Sequence, residues 1–221
     1  MLRLKTATEN RNMSYFKFLY NSVNAHGVHS PFVFSLVTKG FYKKQHSTVN
    51  EKFNAAEAGL NKQALATLLK TITYFKSYKL LVLGDDAPVA AATETIRLAA
   101  EENTIKIWFY STLVPVPGGV DLAYLCGNDT ATLLPLLERV LPDVNNNSVC
   151  AIANIHQSEE METAWEAIKK DPNVTVTIDT YHLGLVFFRK EQTKQHFIIR
   201  PFQSIFLDAV LGIRNLWGLL G

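Results

Sequence analysis

VTVTIDTYHLGLVFFR, residues 174–189, decides how this chain folds. Two apolar runs, VTVTID (174–179) and GLVFFR (184–189), are separated only by TYHL. Parallel neighbours need a crossover of a dozen or more residues, so these two strands must pair antiparallel. Upstream lie further short runs: KLLVLG (79–84), IKIWFY (105–110), VDLAYLC (120–126) and SVCAIA (148–153). They are continuous rather than alternating, which suits strands covered on both faces, as in a parallel sheet with helices on each side. The outline is an α/β fold whose mainly parallel sheet is closed by one antiparallel hairpin.

Helical spacing fills the intervals. Leu60 to Lys76 carries apolar residues at Leu60, Ala64, Leu68, Leu69, Ile72 and Phe75, and Pro88 to Ala100 is rich in alanine. Further helices are expected around Leu133 to Leu141 and from Gln157 to Lys170. Near the N-terminus, Tyr15, Phe18, Leu19 and Val23 recur at helical spacing before the break NAHGVHSPF. Ser30 followed by Pro31 reads as a helix cap and first helical residue, opening a helix to about Tyr42.

The 221 residues are 48% hydrophobic and 19% charged, ordinary values for one compact domain. A net charge of +2 supplies no field for gathering nucleic acid. Cys126 and Cys150 both sit in apolar runs, where thiols behave as small hydrophobes and stay reduced. The first residues lack the apolar core of a signal peptide, and no run reaches the ~18 apolar residues of a membrane span, so a cytoplasmic location is expected. The chain divides into a leader and helical lid over 1–60, an α/β domain over 61–202 and an apolar C-terminal helix over 203–221. Met13 heads a better-patterned segment than Met1, which makes residues 1–12 a candidate disordered leader.

Three motifs carry a likeness to a known family: HSPF (29–32), NIHQSEEMETAWEAIKKDPNVTVTID (154–179) and GLVFFRKEQTKQHFIIR (184–200). On these, residues from about 14 to 200 resemble a bacterial family of class I S-adenosylmethionine-dependent methyltransferase-like proteins, Rossmann-like in fold. The resemblance implies a seven-stranded sheet with S-adenosylmethionine lying across the carboxyl ends of the early strands, and N-terminal helices covering that cleft.

The same resemblance marks departures. Active relatives end the first strand in an acidic residue and a glycine-rich turn; here the turn reads LVLGDDAP, with Gly84 kept, Val82 at the acidic position, and Asp86 and Pro88 at later glycine positions. Asp85 and Asp86 place negative charge where the cofactor carboxylate meets a helix N-terminus; Asp86 also reads as the cap of the helix beginning near Pro88. The second strand should end in a carboxylate for the ribose hydroxyls, yet no acidic residue lies between Glu102 and Asp121. Only STLVPVPGG (111–119) links that strand to the next, too short and too rich in Pro and Gly for a helix, so the third strand of such folds is missing. Relatives of the metal-assisted type hold a cation at the ends of strands four and five, where this chain has CGND (126–129) and ANIH (153–156). Cys126 and Ala153 replace two oxygen ligands and leave Asn154, so no metal is expected.

Asp85, Asp86, Asp129, Asn154 and His156 all follow strands and should gather along one sheet edge, with Asp129 and His156 the best candidates for a replacement ligand or cation site; capping and solvation are the competing roles. His26 and His29 lack a Cys or acidic partner for a metal, and His29 is read as a structural hydrogen-bonding residue of the cleft. Ser30 lacks the Gly-x-Ser-x-Gly frame of a nucleophile elbow. The segment QSIFLDAVLGIRNLWGLLG has Asp208 and Arg214 as its only charges, so it must bury its surface on its own sheet, in a homodimer or protein partner, or on a membrane surface. Two functions follow: a degenerate, inactive binding or scaffold protein, or an active O- or N-methyltransferase of small molecules with an atypical cofactor site.

Overall fold

A computed structural model describes residues 15–43, 60–110, 115–204 and 207. The leader over 1–12 and the apolar helix expected over 203–221 lie outside the described residues, apart from 203, 204 and 207. Residues 15–21 are helical (α1), and α2 (Pro31–Ser35) opens into a π-helical stretch, Leu36–Phe41, in which the Tyr42 N–H reaches the Val37 carbonyl at 2.9 Å. There follow α3 (Lys62–Phe75), β1 (Lys79–Gly84), α4 (Asp86–Glu102), β2 (Trp108–Tyr110), β3 (Val120–Cys126), α5 (Thr130–Val140), β4 (Val144–Ala153), α6 (Glu159–Lys170), β5 (Val176–Asp179), β6 (Leu183–Phe187) and β7 (Gln195–Ile198).

The seven strands form one sheet in the order β2-β1-β3-β4-β6-β5-β7. All neighbours are parallel except β6, which runs antiparallel to β4 and β5 as the TYHL connection requires. This is a mixed α/β fold of Rossmann-like methyltransferase type. Successive residues of each strand feed opposite layers. Leu80, Leu122 and Val149 pack under α2, α3 and α4, whereas Leu81, Ala123 and Ile152 pack under α5 and α6. Val33, Leu36, Val37 and Phe41 are fully buried in the first layer, so α2 and its π-helical continuation are part of the core.

Among the described residues no strand lies outside β2, in keeping with the short link after it. The link turns back through Gly118 and Gly119, both at positive φ, and buries Val116 under β1 in place of a helix. Asp121 Oδ2 accepts the backbone N–H groups of Tyr78 and Lys79, each at 2.9 Å, locking the starts of β1 and β3 together. The sheet reaches seven strands by β7 at the opposite edge, parallel to β5 and extended by a bridge from Val23 to Ile199.

Several expected boundaries shift. Of the run 105–110 only Trp108–Tyr110 pairs, because the Ile105 N–H is still engaged by the Ala100 carbonyl at the end of α4. The helix expected from Pro88 begins at Asp86, with Asp85 rather than Asp86 at the cap position and making no side-chain cap bond. Pro88 falls within the first turn, whose N–H groups have no intrahelical partner, so the ring costs nothing there.

Gly84 ends β1 at φ +148°, and a Cβ placed there would lie 2.4 Å from the Cys126 carbonyl oxygen. Gly84→Ala therefore combines strain with overpacking and should lower stability by roughly 2–4 kcal/mol, read as a fall in the urea midpoint with an unchanged m-value.

Candidate functional site

The order of strands reverses between β1 and β3, and ligands of open α/β sheets bind outside the carboxyl ends at such a point. Here a cleft of about 460 Å³ opens between the β1–α4, β3–α5 and β4–α6 loops, bounded by Gly84, Asp85, Cys126, Asn128, Ala153 and Asn154. Burial pushes the Cys126 thiol up to about 12, so it stays protonated and is no thiolate nucleophile or soft metal ligand. Asp85 and Asp86 are exposed at the start of α4. Asp129 is drawn away from ligand duty into a capping box: its Oδ1 accepts the Thr132 N–H at 2.8 Å and the Thr132 hydroxyl at 2.9 Å. Those bonds, the backbone one first, hold its carboxyl below the usual range. His29 is exposed and lines neither this cleft nor its neighbour.

A second cleft, about 510 Å³, adjoins the first and shares Asn154 and Gln157 with it. The start of α3 supplies Asn61 and Gln63, the β4–α6 loop His156, the β5–β6 turn Tyr181 and His182, and α1 Tyr15. The five residues expected to gather are thus divided. Asp85 and Asn154 share the first cleft, Asp129 serves α5, Asp86 sits in the first turn of α4, and His156 belongs to the second cleft.

His156 is held from both sides. Its Nε2 lies 2.7 Å from Asp179 Oδ2 and its Nδ1 lies 3.0 Å from Glu162 Oε1. Asp179, almost wholly buried at the end of β5, also accepts the Tyr181 N–H on Oδ1 at 2.7 Å. Burial is the largest single influence on the imidazole and lowers its pKa, but the hydrogen bonds and charges of Asp179 and then Glu162 together outweigh it and hold the pKa above the ordinary value. His182 goes the other way: burial, then the neighbouring His156 charge, lower its pKa and keep it neutral. Asn61 caps α3 through Oδ1, which accepts the Ala64 N–H at 2.8 Å. Its Nδ2 is thereby turned to His182 Nδ1 at 2.7 Å, and the neutral ring carries its proton on Nε2.

Aromatic contacts tie these residues into one wall. Tyr181 stacks on His156 at 5.3 Å, and meets Tyr15 and His182 edge to face at 4.8 and 4.7 Å. Asn154 and Tyr181 both hold positive φ, 56° and 71°, a conformation that side-chain-bearing residues adopt at a cost. Asp179, Tyr181, His182 and Asn61 do not stand out in the sequence as site residues, and Tyr15 stands out only by its helical spacing. The signal lies in the sequence, because Asp179 ends a strand as Asp129 follows one, and TYHL carries an aromatic and an imidazole as well as the turn.

Among the described residues no group of three or more His, Cys, Asp or Glu side chains is arranged to hold a metal ion, and no helix is long and apolar enough to cross a membrane. No protein-family description and no curated protein matches the sequence. Among solved structures, the chain is similar to the SAH-bound methyltransferase PaMTH1 of Podospora anserina, at 11% identity over 83% of this chain and 96% of that one, with a TM-score of 0.43. A likeness that remote carries no argument about the site, and the fold assignment rests on strand order and direction.

The His156 clamp makes stability depend on pH with a defined sign. A folded pKa above the unfolded value of about 6.5 means the clamp contributes fully below that pH, and the contribution is lost as pH rises through the folded pKa. Melting temperatures of the wild type and His156→Gln, followed from pH 5 to pH 9, should differ most at the acid end and converge toward the alkaline end.

Proposed function

We propose that this chain is a methyltransferase-fold protein that has given up S-adenosylmethionine chemistry and acts by binding. The observation that carries this reading is the fit between Gly84 and Cys126. In the likeness drawn from the sequence, this glycine turn lets backbone approach the methionine end of the cofactor; here a Cβ at Gly84 would meet the Cys126 carbonyl of the neighbouring strand, so packing against β3 requires the glycine with no cofactor present. The turn then continues into two exposed carboxylates, Asp85 and Asp86, which repel a ligand carboxylate at the N-terminus of α4.

Among the described residues the other handles are absent from the same cleft. β2 ends in Tyr110 with no carboxylate to accept ribose hydroxyls, and Cys126 and Ala153 offer no hard oxygen ligand for a divalent cation. The residues present do not fit the cofactor. Rossmann-like domains keep their architecture when their chemistry is lost, because function resides in the loops grafted on the sheet.

Titration with S-adenosylmethionine and S-adenosylhomocysteine tests this, since a ligand specific to the folded state raises stability with the logarithm of its concentration over Kd. The expected outcome is no heat and no shift in melting temperature at millimolar ligand. Micromolar binding that is abolished by Ala131→Arg, which fills the cleft beside β3, would overturn the reading and restore the methyltransferase with an atypical site.

A further inference from the structure

The second cleft has a chemistry of its own. Its volume of about 510 Å³ is on the scale of small-molecule sites. Among the described residues lining it there is no carboxylate, ammonium or guanidinium. The one charged group is the His156 imidazolium, whose two N–H groups are already taken by Asp179 and Glu162. Two carboxylates behind one cation leave nothing to attract an anion, and the cleft offers no free acceptor charge for a cation.

What remains is neutral, flat and amide-like. Tyr15, Tyr181 and His182 form a continuous aromatic wall, braced from behind by the His156 ring. Gln63 and Gln157 stand at the rim with exposed carboxamides, each presenting a donor and an acceptor side by side. The cap made by Asn61 fixes His182 with Nε2–H as its donor. Positive φ at Asn154 and Tyr181 places left-handed residues on both the β4–α6 loop and the β5–β6 turn, and such outliers persist where surrounding bonds over-determine them and cluster at ligand clamps.

We infer that this cleft binds an uncharged planar heteroaromatic ring with an amide-type donor–acceptor edge, the chemistry of a nucleobase or nucleoside. Flat π faces stack on Tyr and His rings with little regard to which base is present, and carboxamides match the adjacent donor and acceptor of a base edge. A nucleotide's phosphates find no free cation among the lining residues and stay outside. The inference goes beyond the loss of cofactor chemistry and does not depend on it, because the two clefts share only Asn154 and Gln157 of the β4–α6 loop, and the aromatic wall, Asn61 and Gln63 line this one alone.

The test is titration of the full chain with adenosine, guanosine, cytidine and uridine by saturation-transfer NMR and calorimetry, with glucose as a non-planar polyol. At least one nucleoside should bind saturably and glucose should not. Tyr15→Leu should weaken that binding about tenfold or more. Gln63→Leu, on an exposed side chain that leaves the fold intact, should weaken it too, while Ala131→Arg in the neighbouring cleft leaves the affinity unchanged. Silence from all four nucleosides at millimolar concentration overturns the inference. So does equal binding of glucose, an affinity unmoved by Gln63→Leu, or loss of binding in Ala131→Arg, which would put the nucleoside in the switch-point cleft.

Discussion

The Asp179 carboxylate is the joint on which the carboxyl edge of this sheet depends. A carboxylate so deeply buried is tolerable only when its oxygens are hydrogen-bonded, and here each has a partner at 2.7 Å, the Tyr181 N–H and His156 Nε2. The first bond holds Tyr181 in its left-handed conformation, so that the chain reverses tightly between β5 and β6. The second fastens the β4–α6 loop, and through Glu162 the first turn of α6, to the same point. One side chain thus fixes the antiparallel hairpin, the aromatic wall and the imidazolium together.

The opposite half of the sheet is built with less. With no strand beyond β2 among the described residues, the edge presents Trp108 and Tyr110 to solvent, and a short glycine turn buries Val116 beside β1. Asp121 compensates locally by bonding two backbone N–H groups at the start of β1. The strand count is recovered at the far edge by β7, which also receives the chain after α1 through the Val23 bridge. The well-supported part of the sheet is therefore β4, β6 and β5, and the cleft with the richest side-chain chemistry lies over the carboxyl ends of β4 and β5 and the amino end of β6.

Much of this was legible in the residues. The apolar runs at 79–84 and 120–126, and the core of 148–153, are strands because most side chains in them have a helix or a neighbouring strand to cover them, and TYHL left the hairpin no choice of direction. The short link after 110 leaves no room for a crossover helix, and among the described residues β2 stands at the edge of the sheet. β7 was not legible as a strand: Gln195, His196, Phe197 and Ile198 alternate over only four residues at an edge, and their pairing is set by β5 rather than by their own pattern. The site was half legible. His156 stands out by position, whereas its partner Asp179 lies 23 residues away and is brought to it by the crossover through α6, which returns the chain to the same edge at the end of β5. Asp129 shows the converse, since an acid after a strand and an acid before a helix are the same residue, and the Thr132 N–H decides between the two roles.

On the function proposed above, the fold outlasts the handles of a cofactor because of where its stability lies. The two apolar layers, Leu80, Leu122 and Val149 on one face and Leu81, Ala123 and Ile152 on the other, ask nothing of the loops at the carboxyl edge except that they close. Those loops close with their own polar residues: Asn61 accepts the third amide of α3, Asp129 that of α5 and Ser158 that of α6. Even Gly84, kept where the resemblance expects a cofactor, is required here by the backbone of β3. Once glycine and carboxylates at such an edge are held by packing and capping, losing a ligand removes no support from the sheet. The edge is then free to acquire a different site, and the residues with the strongest mutual constraints, Asp179, His156, Tyr181 and His182, lie away from the point where strand order reverses.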